Sequence, residues 1–126
     1  DHIAGNAALK EAYPNAPIII GAGDATMLLD PLLNAGALFG FEVTSPPADR
    51  VVREGEALTV AGITMDVFDV PGHSPGHVVY VLRGTRPTLV MGGDVLFRGS
   101  VGRTDFPAED RRAAFRSARR RLARRR

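Results

Sequence analysis

The stretch from Val51 to Gly92 restricts the fold of this chain more than any other, because it reads as short strands separated by turns. Leu58 and Val60 alternate, Ala61-Gly62 supplies a turn, and Ile63, Met65 and Val67 alternate with Thr64, Asp66 and Phe68. That pattern predicts a hairpin. Two further strands are expected, VVYVL at 78–82 and TLVMG at 88–92, joined by the turn-prone RGTRP. Around this β region the chain reads as helical or irregular. AGNAALKEAY at 4–13 is rich in helix formers and is stopped by Pro14 and Asn15. PIIIGAG looks like a short strand covered on both faces, and residues 24–40, broken by Pro31 and Gly36, look like short helical turns. Residues 108 to about 124 are expected to form a helix, with Ala114, Phe115, Ala118 and Leu122 as a narrow apolar stripe among arginines. The expected class is α+β.

With 126 residues, 44% of them hydrophobic, the chain suits a single domain spanning 1–126. No apolar run approaches the roughly 18–20 residues that span a bilayer, and no segment resembles a signal region. The expectation is a cytoplasmic protein with no membrane partner. There is no cysteine, so a metal would be held by His, Asp, Glu or backbone oxygen. Charge is uneven. Residues 1–110 hold seven Lys or Arg against fourteen Asp and Glu, a balance of −7, whereas residues 111–126 hold nine arginines and no acid. Such a tail attracts nucleic acid or serves as a solvated helix face; without interleaved aromatics to stack bases, nucleic acid is not the expected partner.

The three histidines and two aspartates carry the candidate chemistry. In DVPGHSPGHVVY a strand ends, Pro71 and Gly72 turn the chain, and His73 sits on the turn, where a ring with a fixed direction can bind metal or merely hydrogen-bond. In MGGDVLF two glycines let the backbone approach closely and deliver Asp94, either to bridge cations or to cap a tight turn. Asp1-His2 precedes a helix and reads as a metal-binding pair or as an N-cap followed by a first-turn histidine. Together, carboxylates and neutral imidazoles suit zinc or iron.

In the order DHIAGN, DVPGHSPGH, MGGDVLFRGSVGRTDFP, the chain resembles the metallo-β-lactamase superfamily, and within it the glyoxalase II-like hydrolases, over essentially its whole length. The resemblance implies a partial αββα sandwich that lacks the N-terminal strands and the C-terminal segment. It places Asp1 and His2 at the last two positions of the family's His-x-His-x-Asp-His motif, with a catalytic role. It makes His73 the histidine of the Pro-Gly-His turn, Asp94 the bridging carboxylate, and Arg103 a basic residue near the substrate's carboxylate, which a guanidinium can grip in bidentate fashion. The implied cofactors are two divalent metal ions, zinc with iron or manganese as alternatives. The implied reaction is hydrolysis of S-lactoylglutathione or a related hydroxyacyl thioester by water activated between the ions.

Two histidines that should precede Asp1, and a final histidine toward the C terminus, are not in the sequence. We therefore expect a piece of a longer protein, impaired alone as a metal binder and as an enzyme. A runner-up within the resemblance is a persulfide dioxygenase-like enzyme with one iron, which shares a Gly-Arg-Thr-Asp-Phe loop. His77 stands where such proteins resemble Gly-Cys, and is expected to be a hydrogen-bonding or core residue rather than a ligand.

Overall fold

The computed structural model describes residues 2–103. The chain divides into two compact units, Asp1–Val51 and Val52–Arg126. The Arg-rich helix expected at 108–126 lies outside the described residues, as does Asp1.

The first unit opens with a turn at residues 2–5 and then helix α1 (Asn6–Ala12). The N-cap position is Gly5, so the helix begins four residues beyond the pair whose aspartate could have capped it. The chain then runs through strand β1 (Ile19–Gly21), a 3-10 helix (Ala22–Leu28) and a second 3-10 turn (Ala37–Phe39) to β2 (Arg50–Val52), which pairs with β1. Ile19 and Ile20 are half-buried, not covered on both faces, and among the described residues their sheet has two strands.

Polar side chains do much of the organising in this unit. Asp49 Oδ2 accepts from Lys10 Nζ at 2.8 Å and from the Ile18 amide at 2.7 Å, tying α1 to the chain entering β1. Asn34 donates to the Met27 and Val43 carbonyls and accepts from the Gly36 amide, so one side chain satisfies backbone groups of an irregular segment. Along that segment Leu29, Leu32, Leu33, Leu38, Phe39 and Phe41 are exposed.

The second unit is built on a four-stranded antiparallel sheet in the order β3 (Ala57–Val60), β4 (Ile63–Asp69), β5 (Val78–Leu82), β6 (Val90–Met91). The expected hairpin is there. Val60 faces Ile63, and the two residues between them, Ala61 at φ 50° and Gly62 at φ 78°, both adopt positive φ, as a turn matched to the twist of the strands requires. β6 is shorter than the 88–92 expected. A two-stranded antiparallel ribbon, β7 (Leu96–Phe97) and β8 (Ser100–Val101), follows it and had no counterpart in the sequence reading.

Register explains the core. Leu58, Met65 and Val67 share one face of the sheet, and Phe68, Val79 and Val81 the other. Both faces bury residues: Leu58, Met65 and Val67 on the first, Val79 and Val81 on the second. On the second face Val70, Val79 and Val95 form a buried cluster with Phe68 packed against it. Each valine lies next to a segment that carries a candidate site residue. Burying a valine side chain stabilises by about 1.5–3 kcal/mol, so this cluster holds the site-bearing loops to the sheet.

Candidate metal centre

Three pieces of the second unit converge. The loop between β4 and β5 carries His73 and His77, the turn after β6 carries Asp94, and the chain leaving β8 contributes Gly102 and Arg103. The first loop is fixed internally, since Gly72 and His77 both donate backbone N–H to the Ser74 carbonyl and Val70 donates to that of His77 at 2.8 Å.

Both ring nitrogens of His73 face an oxygen. Nδ1 lies 3.2 Å from the Arg103 carbonyl oxygen. A carbonyl only accepts, so Nδ1 carries a hydrogen, and Nε2 is the nitrogen through which a metal would be bound. Nε2 faces Asp94 Oδ2 at 3.5 Å. The separation is longer than the 2.7–2.9 Å of a charge-assisted N–H···O bond. It agrees with the roughly 3.3–3.6 Å between two ligands of one tetrahedral ion bound at about 2.0–2.2 Å. The second-nitrogen hydrogen bond is also what orients metal-ligating histidines. His73 and Asp94 therefore fit a divalent cation in chemistry and in spacing, and their side chains, 22% and 26% exposed, leave it open to solvent.

His77 faces elsewhere. Its Nε2 lies 3.2 Å from the Gly92 carbonyl oxygen, so this nitrogen donates and is not available as a ligand. The expectation of a hydrogen-bonding histidine agrees with this contact. Its ring meets that of His73 edge-on, with centroids 6.0 Å apart.

Glycine is required at two points. Gly93 has φ +49°, and a Cβ there would lie 3.0 Å from His77 Nε2. Gly102 is buried, and a Cβ on it would overlap the Asp94 carbonyl oxygen outright and stand 2.8 Å from its carbon. The chain after β8 can close over Asp94 only because residue 102 has no side chain. Sequence reasoning singled out the GSVGR stretch for Arg103 and passed over this glycine.

Of the residues expected at the site, the structure brings together His73 and Asp94, and adds the main chain of Arg103. The Arg103 residue is exposed, and its carbonyl accepts from His73. His2 is exposed in the turn before α1, in the first unit. Among the described residues no group of three or more His, Asp or Glu is arranged to hold a metal ion.

A family model of the metallo-beta-lactamase superfamily matches residues 1–125. The chain belongs to that superfamily. Among curated relatives it is 36% identical over 107 residues to "Probable metallo-hydrolase YqgX" of Bacillus subtilis (strain 168), covering 84% of this chain and 49% of that protein. It is 41% identical over 58 residues to "Hydroxyacylglutathione hydrolase GloC" of Haemophilus influenzae (strain ATCC 51907 / DSM 11121 / KW20 / Rd), covering 46% of this chain and 26% of that protein. The chain thus spans half or less of the length of these two relatives. Among solved structures, the B3 metallo-beta-lactamase BLEG-1 superposes with a TM-score of 0.87 at 33% identity, over 97% of this chain and 58% of that one. TTHA1623, in a di-iron-bound form, superposes with a TM-score of 0.75 at 35% identity, over 98% and 59%. The α+β class and the partial metallo-β-lactamase fold expected from the sequence are both observed, with antiparallel sheets and few helices.

Proposed function

We propose that this protein is a metal-dependent hydrolase acting on acyl thioesters, with hydroxyacyl thioesters of glutathione as the substrate class. The observation that carries the proposal is the pair of acceptor atoms, His73 Nε2 and Asp94 Oδ2, facing one another at a ligand-to-ligand distance with the opposite ring nitrogen anchored on the Arg103 carbonyl. The hydroxyacylglutathione hydrolase name of one relative supports the substrate class.

In this reading His73 and Asp94 would hold metal, and Asp1 and His2 would complete the ligand set. When bound, the ions, zinc with iron or manganese as alternatives, would supply activated water and polarise the acyl carbonyl. The chain's own residues fix where this happens. The Arg103 carbonyl sets the His73 tautomer, the buried valines Val70, Val79 and Val95 hold the loops at their spacing, and the Arg103 guanidinium binds a substrate carboxylate. Water oxygen bonds to the acyl carbon, the carbon–sulfur bond breaks, and the sulfur leaves as a thiol with the displaced proton.

The test is metal analysis of the intact protein followed by thiol release from S-lactoylglutathione. The expected result is two divalent ions per chain and hydrolysis that falls at least about 100-fold in His73→Ala and Asp94→Asn. One iron per chain with oxygen consumption would instead assign a dioxygenase, and metal content unchanged in both variants would remove these residues from the site.

A further inference from the structure

We infer that His77 is a positioning residue that sets the direction of the Asp94 carboxylate by locking the Gly92 carbonyl; this rests on Asp94 being a metal ligand, as proposed above. The Gly92 oxygen accepts two hydrogen bonds, from the Val95 amide at 3.1 Å and from His77 Nε2 at 3.2 Å. A carbonyl oxygen has two lone pairs, and these two donors engage both. The peptide that opens the turn Gly92–Gly93–Asp94 is therefore fixed from both sides. Val95 closes the turn locally, while His77 reaches across from the start of β5.

The reach depends on Gly93. Its Cα lies close to the ring, where a Cβ would be 3.0 Å from Nε2 and 3.1 Å from Cε1, so these imidazole atoms pack against the residue immediately before Asp94. The ring is itself anchored at its root, because the His77 amide donates to the Ser74 carbonyl and the His77 carbonyl accepts from Val70. Those are the contacts that shape the loop holding His73. One residue thus couples the loop that presents the imidazole ligand to the turn that presents the carboxylate ligand. The two histidines of PGHSPGH hydrogen-bond the backbone through opposite ring nitrogens: His73 donates from Nδ1 to the Arg103 carbonyl, whereas His77 donates from Nε2 to that of Gly92.

The experiment compares His77→Leu and His77→Gln in the intact protein by zinc affinity, measured by competition with a chromophoric chelator, and by the amide resonances of Gly93 and Asp94 in the metal-free protein. Gln can place an N–H near the position of Nε2; Leu cannot. Loss of a hydrogen-bonding partner behind a metal ligand weakens binding about 10–100-fold, and that loss is expected for Leu, with Gln returning to within about threefold of the parent. The Gly93 and Asp94 amides are expected to shift in Leu and return in Gln. Parent-like affinity and amide positions in Leu would overturn the inference, as would equal loss in folded Leu and Gln variants, which would mean that the ring itself is needed. If the parent binds no zinc, the proposed function fails, and the amide shifts alone decide the role of His77.

Discussion

Replacing Gly102 by alanine puts a methyl group where the Asp94 carbonyl already is. The Cβ would overlap that oxygen and approach the carbonyl carbon to 2.8 Å, and both atoms are backbone, so no rotamer change relieves the contact. Either the strand leaving β8 must lift or the Gly92–Asp94 turn must retreat. Lifting breaks the hydrogen bond from the Gly102 amide to the Val95 carbonyl, now 3.3 Å, at about 1 kcal/mol. The displacement of packed backbone adds about 1–3 kcal/mol. The sum, about 2–4 kcal/mol, is a large share of the 5–15 kcal/mol typical of a domain. With a urea slope of about 2 kcal/mol per molar it moves the unfolding midpoint down by about 1–2 M. Either movement also changes the His73–Asp94 spacing or the Arg103 carbonyl behind it, and a misplacement near 1 Å costs activity on the order of 100-fold. The assay is paired: urea unfolding followed by fluorescence or circular dichroism, and thiol release with zinc supplied. Gly99→Ala is the control, because Gly99 has positive φ, +77°, but no atom within 4 Å of its Cβ position. It should lose about 1–2 kcal/mol of stability from the left-handed conformation and keep its activity. If Gly102→Ala unfolds at the parent midpoint with parent activity, the close approach of the β8 exit to Asp94 is wrong, and the account of the site with it.

Val79→Ala removes two methyl groups from a residue that is 1% exposed and should cost about 2 kcal/mol in urea unfolding, with a fall in zinc affinity that an exposed Val90→Ala does not show. Ala61→Asn, at φ 50° in the β3–β4 turn, should raise stability by up to about 1 kcal/mol, since asparagine tolerates this conformation better; a lower unfolding midpoint would contradict the turn geometry. The Lys10 side chain and then the Ile18 amide hold the Asp49 carboxyl below its ordinary value of 3.8. A carboxyl lowered in the folded state stabilises above its unfolded value and loses that contribution as pH falls through the folded one. Asp49→Asn should therefore flatten the loss of stability below about pH 3.8, and an unchanged acid limb would rule out this role.

The helix near the start, the β3–β4 hairpin and the strand VVYVL could be placed from periodicity because their signals are local: helix formers bounded by Pro14, alternation across a two-residue turn, and a β-branched run. β7 and β8 could not, since two-residue strands carry too little pattern, and the brevity of β6 is set by pairing rather than by its own residues. The opening Asp-His pair could equally bind metal or cap a helix, and only the backbone shows that Gly5 takes the cap.

For the site, the sequence determined which chemistry was available. A chain without cysteine, with His73 on a Pro-Gly turn and Asp94 behind two glycines, offers imidazole and carboxylate and nothing softer. It left open whether those two side chains meet, which histidine offers a lone pair, and why residue 102 is glycine. Those answers depend on residues far apart in the chain coming together. His73 finds the Arg103 carbonyl thirty positions away, His77 finds the Gly92 carbonyl fifteen away, and the chain leaving β8 presses on Asp94 closely enough to exclude a methyl group. A tautomer is set by the partner across the fold, so it has no signature in the residue's own neighbours along the chain.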